Sequence, residues 1–230
     1  MYIEFIGTSG AGKTTIVEKA ADILKAEGRN VITKQRFFED DRKRSGKILW
    51  TVLHMWVLDI RMVGYFWKWG RLTNFKNACH KTNEYIKLIH ILASSKERVA
   101  LWDSGFQQLF SKFAAMQMMD SHTARVLVEK QLPHDCVLVF LNTSLEEAAK
   151  RKYERASGWG AGVAIDKHTE KFANAFKITS AVQDMHIAMF NFFATQGWCT
   201  ITLDGMVPPE ENARILIQKL EQITKEEHHA

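Results

Sequence analysis

The chain has 230 residues, of which 46% are hydrophobic and 25% are charged, and its formal net charge is +5. These values fit a globular domain that buries a full core, and the charge excess is too small to indicate a nucleic-acid-binding protein. The most hydrophobic stretch, residues 48–69, is not expected to span a membrane, because it contains His54, Asp59, Arg61 and Lys68.

The cysteines indicate a reducing compartment. Cys79, Cys136 and Cys199 are odd in number and far apart, so they match neither a disulfide framework nor a metal-binding spacing. The first predicted strand begins at residue 2, so no signal peptide is expected. We therefore expect a cytoplasmic protein.

The first predicted elements are a strand, a glycine-rich loop and a helix. Residues 2–6 form a short β-type run, and residues 15–25 carry apolar side chains with helical spacing. Between them, residues 7–14 read Gly-Thr-Ser-Gly-Ala-Gly-Lys-Thr, which is the pattern of a phosphate-binding loop in its required context.

Each part of this loop has a chemical task. The glycines let backbone N–H groups approach phosphate oxygens, Lys13 reaches the β- and γ-phosphates, and the Thr14 hydroxyl binds Mg²⁺. The chain has no Asn-Lys-x-Asp guanine motif, which favours ATP over GTP. We predict that ATP and Mg²⁺ are bound by the loop residues, which are Gly7, Thr8, Ser9, Gly10, Ala11, Gly12, Lys13, Thr14 and Thr15.

Four further β-type runs follow, at residues 30–33, 98–103, 136–142 and 198–204. Helical patterns alternate with them, which predicts βαβ units and a parallel sheet. We therefore expect a single α/β domain over residues 1–230, in which a five-stranded parallel sheet has helices on both faces. Beyond the first helix, the later helices are predicted at 106–119, 121–131, 144–156, 167–195 and 208–224.

A helical insertion is predicted between the second and third strands, over about residues 40–97. Its helices are expected at 46–70 and 74–94, and the first is unusually rich in tryptophan. Four uses of this aromatic helix remain open: core packing, an acceptor pocket, a homodimer interface or docking on a membrane surface.

The order of these parts resembles the P-loop nucleoside and nucleotide kinases, nearest the thymidylate-kinase-like group. Besides the glycine-rich loop, the resemblance rests on residues 101–105, 137–148 and 203–211. It implies the three-layer P-loop kinase fold, an acceptor site beside the insertion and a mobile lid at about residues 151–167.

Asp103 is the first further site residue. A carboxylate at the end of a strand beside the phosphate loop can hold Mg²⁺ or accept the proton of an attacking hydroxyl. The resembled kinases follow this acidic residue with an arginine, whereas this chain has Ser104. That departure weakens the case for a nucleoside monophosphate as the acceptor.

The resemblance also implies residues that surround the transferred phosphate. Arg151 and Arg155 are four residues apart on one helix face, and they correspond to lid arginines that neutralise developing charge. Asp204 and Gly205 correspond to the segment that lies against the adenine. Arg36 corresponds to an arginine that meets the acceptor.

Arg61 has two readings within the predicted insertion. It can contact the acceptor in a pocket, or it can form an internal pair with Asp59 of the same helix. As a binding residue it joins Arg36 on the acceptor side.

The expected activity is transfer of the γ-phosphate of ATP to a small-molecule acceptor. A nucleoside or nucleotide is the first expectation, and a sugar or glycan is the alternative that Ser104 and the aromatic insertion keep open. A second alternative is a nucleotide-dependent switch ATPase that acts through a protein partner or a membrane surface.

Overall fold

The computed structural model describes residues 1–35, 98–133, 135–157 and 170–227, together with ten isolated helical positions between residues 64 and 92. None of the helices within these ranges is both long and apolar enough to cross a membrane. The described elements, in chain order, are β1 (Tyr2–Ile6), α1 (Lys13–Ala26), β2 (Val31–Thr33), β3 (Val99–Trp102), α2 (Phe106–Ala115), α3 (Ser121–Gln131), β4 (Val137–Asn142), α4 (Leu145–Ser157), α5 (Glu170–Thr195), β5 (Cys199–Asp204) and α6 (Pro209–Glu227).

The five strands form one parallel sheet in the order β2-β3-β1-β4-β5. The predicted parallel α/β architecture is therefore confirmed. Because β1 lies between β3 and β4, the loop after β1 is next to the end of β3, although the two are about a hundred residues apart in the chain.

Helices cover both faces of the sheet. Alternate residues of a strand point to opposite faces, so Tyr2 and Ile6 of β1 pack with α2, α3 and α5, while Ile3 and Phe5 pack with α1 and α6. Both sets are buried, which explains why the strands read as continuous apolar runs in the sequence.

The helix after β3 ends earlier than predicted. The sequence pattern predicts an end at residue 119, whereas α2 ends at Ala115. Gln117 adopts a left-handed φ of 54°, and the N–H groups of Gln117 and Met118 bond back to Ala114 and Phe113. This is the usual helix-ending motif with glutamine in place of glycine, so no residue at this position signals the end of the helix.

The predicted insertion and lid lie largely outside the described residues. The ten described positions of the insertion are helical, and Tyr85 packs edge-on against Phe106 of α2 at 4.9 Å between ring centroids. Of the predicted lid, only residues 151–157 are described, and they form the end of α4.

Candidate functional site

The glycine-rich loop follows β1 and leads directly into α1. Gly10 has a left-handed φ of 94°, and a Cβ there would overlap the backbone carbonyl of Ala148 in α4. Only glycine satisfies both conditions, so the loop passes closely under α4. No side chain caps the start of α1, and its first turn holds no acidic residue. The helix therefore presents N–H groups and a partial positive charge, which suits an anion.

Lys13 is the first residue of α1, and its side chain folds back over the loop. The ammonium group donates hydrogen bonds to the carbonyl oxygens of Gly7 at 2.7 Å and Thr8 at 2.9 Å. The residue is 8% exposed, so water screens the charge of its ammonium group only weakly.

Thr14, the second residue of α1, meets Asp103, the residue that follows β3. The Thr14 hydroxyl donates to Oδ2 of Asp103 at 2.5 Å, across 89 positions of sequence. Hydroxyl and carboxylate oxygens are the ligands that Mg²⁺ prefers. Within the described ranges there is no group of three metal-binding acidic, histidine or cysteine side chains. The pair therefore fits Mg²⁺ of the kind that takes its remaining ligands from phosphates and water.

The second carboxylate oxygen of Asp103 has a different environment. Oδ1 is buried and accepts no hydrogen bond from the residues that the structure describes. The ammonium nitrogen of Lys34 lies 3.8 Å from it, which is an ion-pair distance. One oxygen of Asp103 thus faces Thr14, and the other faces Lys34.

Lys34 was not among the predicted site residues. It follows β2, and its ammonium group donates to Oγ of Ser104 at 2.6 Å. The resemblance implied Arg36 on this side of the site, and both Arg36 and Arg61 lie outside the described residues. The signal that identifies Lys34 is the register of β2 and β3, in which Thr33 stands opposite Leu101 and the next residue reaches the start of the Asp103 turn.

A cleft of about 170 Å³ opens between α1 and the ends of β2 and β3. Asp103 and Thr14 both line this cleft, so it adjoins the predicted Mg²⁺ site. Its position at the carboxyl ends of parallel strands is where α/β proteins bind ligands. The described residues that line it are Thr14, Val17, Glu18, Thr33, Lys34, Gln35 and Asp103.

Arg151 approaches the loop from the opposite side. Its Nε donates to Glu147 at 2.8 Å, one turn earlier in α4, and its guanidinium makes long contacts of 3.5 and 3.4 Å with the carbonyls of Ala11 and Gly205. The guanidinium therefore lies between the glycine-rich loop and the turn after β5. Arg155 also belongs to α4, but its side chain is outside the described residues.

The turn after β5 joins the same edge of the sheet. The Gly205 N–H donates to the carbonyl of Asn142 at 2.7 Å, and Oδ1 of Asp204 accepts the N–H of Met206 at 2.9 Å. Asp204 thus stabilises its own turn, and Gly205 lies beside the loop and Arg151. The structure thereby brings the predicted nucleotide residues and Asp103 to one edge of the sheet.

Glu4 is a buried carboxyl group that the sequence analysis did not single out. It points from β1 towards α2, where it accepts hydrogen bonds from the N–H groups of Phe106 and Gln108, both at 3.0 Å. A Cβ on Gly105 would overlap this carboxylate and the Tyr2 hydroxyl. Glu4 thus caps α2 from a neighbouring strand and holds the turn that carries Asp103.

Burial raises the pKa of Glu4 from 4.5 to about 7, against the lowering effect of its hydrogen bonds with Gln108, Tyr2 and Phe106. Between these two values the folded protein binds the proton more tightly than the unfolded chain. The free energy of unfolding therefore falls as the pH rises from about 4.5 to about 7, and the full shift corresponds to roughly 3 kcal/mol.

Glu4→Gln removes this titration. The stability advantage of the wild type over the variant should shrink by up to roughly 3 kcal/mol as the pH rises from 4.5 to 7. Urea unfolding of both proteins at several pH values measures the difference. Burial lowers the pKa of His186 to about 3, so this residue changes stability with pH in the opposite direction to Glu4. Both proteins contain His186, and its contribution therefore cancels when their free energies of unfolding are compared. Parallel stability curves would show that Glu4 does not titrate in this range.

Comparisons with known proteins do not assign a function to this site. No protein-family model and no curated protein matches the chain.

Proposed function

We propose that this protein is a phosphotransferase that moves the γ-phosphate of ATP, with Mg²⁺, to a hydroxyl or phosphate group of a small molecule. The observation that carries the proposal is the contact between Thr14 and Asp103 beside the loop that Lys13 covers. A glycine loop alone supports nucleotide binding, whereas the carboxylate at its side adds a second ligand for Mg²⁺ and a group that can accept a proton.

In this proposal the loop N–H groups, Lys13 and Arg151 would hold the phosphates, and Thr14 and Asp103 would hold Mg²⁺. Bound Mg²⁺ would neutralise charge on the phosphate oxygens. The acceptor oxygen forms a bond to the γ-phosphorus, and the bond between that phosphorus and the bridging oxygen of ADP breaks. Where the acceptor group is a hydroxyl, its proton passes to the carboxylate of Asp103, which lines the cleft, and ADP leaves.

The acceptor lies in the cleft beside Asp103, and nucleosides, nucleotides and sugars all carry suitable hydroxyl groups. Arg36 and Arg61 are proposed to extend this side of the site, and Arg155 to act with Arg151. A cytoplasmic location, where ATP is abundant, suits this activity.

A nucleotide-dependent switch is the second candidate function. The observation that favours it is the side chain of Trp67 in the insertion, which is 64% exposed and could meet a protein partner, a second copy of the chain or a membrane surface.

The two functions differ in what accelerates ADP release. The purified protein is incubated with ATP, Mg²⁺ and pools of nucleosides, nucleotides and sugars, and ADP is measured over time. A rate of ADP release that rises with the concentration of one acceptor pool supports transfer. Slow release that no pool accelerates supports the switch, and absence of ATP binding in calorimetry contradicts both.

A further inference from the structure

We propose that Glu4 is a positioning residue for the candidate site, which holds Asp103 in place by fastening both ends of the turn that carries it. This inference rests on the proposed kinase function and deepens it, because it names a residue outside the site on which the rate of transfer depends. It follows from the contacts that join β1, the end of β3 and the start of α2.

The turn that carries Asp103 is short, and β1 holds it at both ends. Three residues separate Trp102, which ends β3, from Phe106, which begins α2. Trp102 stands opposite Glu4 in the parallel ladder. The Phe106 N–H donates to Oε2 of the same Glu4 at 3.0 Å, and the Gln108 N–H donates to Oε1 at 3.0 Å. One residue of β1 thus fixes the residue before the turn and the residue after it.

The carboxylate of Glu4 supplies what the start of α2 lacks. Gly105 precedes this helix and has no side chain with which to cap it. Three donors meet the two oxygens of Glu4, namely the two N–H groups of α2 and the Tyr2 hydroxyl at 3.3 Å. A carboxylate accepts from all three, whereas an amide would place its NH₂ group against one of the donors.

Burial makes the position of the turn depend on these bonds. Glu4 is 0% exposed, so water cannot replace a hydrogen bond that is lost there. An unpaired N–H group would draw the start of α2 towards another acceptor, and Asp103 would move with it. Thr14 is carried by α1 and would stay, so the two proposed Mg²⁺ ligands would separate. A misplacement of about 1 Å can lower a reaction rate by about 10²-fold.

The first variant is Glu4→Gln, which keeps the shape of the side chain but loses one acceptor oxygen. Burial raises the pKa of Glu4 to about 7, so kinetics at about pH 8.5 compare the variant with the wild-type carboxylate. We expect kcat for ATP turnover to fall at least tenfold, while the calorimetric Kd for the ATP analogue changes less than about threefold. Wild-type kcat in this variant would overturn the proposal.

A double-mutant cycle with Asp103→Asn tests whether Glu4 acts through Asp103. In that background the carboxylate whose position matters is already gone. Glu4→Gln should therefore lower kcat by less than about twofold there, against at least tenfold in the wild type. A role in stability alone would give the same fold loss in both backgrounds, and that result would overturn the proposal.

Two controls separate the position of the turn from stability. Tyr2→Phe removes the third donor to Glu4 but leaves both bonds to α2, so kcat should stay within about twofold of the wild type. Val128 is fully buried in α3, and Val128→Ala should lower Tm by leaving a cavity without lowering kcat at a temperature where it is folded. A loss of kcat in either control equal to that in Glu4→Gln would overturn the proposal.

Gly105→Ala tests the same contact from the side of the turn, and it decides the proposal if Glu4→Gln does not fold. The added methyl group would overlap the Glu4 carboxylate and the Tyr2 hydroxyl, which separates the carboxylate from the start of α2. We expect at least a tenfold loss of kcat that disappears in the Asp103→Asn background. Wild-type kcat would overturn the proposal.

Failure of this inference and failure of the kinase function give different results. If the wild type turns over ATP and the variants of Glu4 and Gly105 match its kcat, the inference is wrong and the kinase function is intact. If the wild type does not bind the ATP analogue in calorimetry, the kinase function is wrong, and this inference is wrong with it.

Discussion

Replacement of Lys13 by methionine is expected to lower the rate of ATP turnover by about 10²- to 10³-fold. The ammonium group lies over the glycine-rich loop, where the carbonyls of Gly7 and Thr8 hold it. In the proposed mechanism it is prepositioned for the charge that develops on the transferred phosphate, and methionine keeps the length of the side chain without the positive charge. Steady-state kinetics with ATP and the accelerating acceptor pool measures the loss.

The same variant should fold normally without nucleotide. It loses two hydrogen bonds inside the loop, which corresponds to a decrease of only a few degrees in Tm. Lys19→Met in the same helix is the matched control, because Lys19 forms an exposed pair with Glu210 and should not affect turnover. Unfolding of Lys13→Met would mean that Lys13 acts in structure, and full turnover would remove it from the proposed mechanism.

Replacement of Asp103 by asparagine is expected to lower kcat at least 10²-fold while ATP affinity changes little. Asparagine can still accept the Thr14 hydroxyl bond through its amide oxygen, so the geometry at the end of β3 is retained. It cannot accept the acceptor's proton, and its amide is a poorer ligand for Mg²⁺. Measured kcat and the calorimetric Kd for the ATP analogue separate the two effects.

The control is the same change at Asp120, the residue that caps α3 through the Thr123 N–H at 2.8 Å. Asparagine caps helices about as well as aspartate, so this variant should retain stability and activity. If Asp103→Asn retained wild-type kcat, a different group would have to accept the proton. If it lost ATP binding altogether, Asp103 would act mainly through the nucleotide.

The local sequence pattern predicted Asp103 as a site residue but not all of its contacts. Its position at the end of an apolar strand marked it as a candidate, and the structure places it against Thr14. Its relation to Lys34 could not be predicted, because that contact depends on which strand lies beside β3. The resemblance implied Arg36, which lies outside the described residues and stays a prediction, and the register of β2 brings Lys34 to Ser104.

Glu4 shows a second limit of sequence reasoning. Alternation along β1 places residue 4 on one face of the sheet, but both faces of this strand are buried, so periodicity gives no reason to expect a charged group there. Glu4 accepts hydrogen bonds from N–H groups of a helix that begins more than a hundred residues later in the chain. That helix lies over β1 only because β3 is the neighbouring strand.

The sequence by itself determined the glycine-rich loop, the five strands, most limits of the described helices and the parallel α/β class, because these depend on periodicity and on residues that are close in the chain. The tertiary structure decided which side chains meet at the edge of the sheet: Thr14 with Asp103, Lys34 with Ser104, and Arg151 with the loop. These contacts depend on strand order and register, which arise from packing both faces of the sheet at once and are not encoded in any short segment.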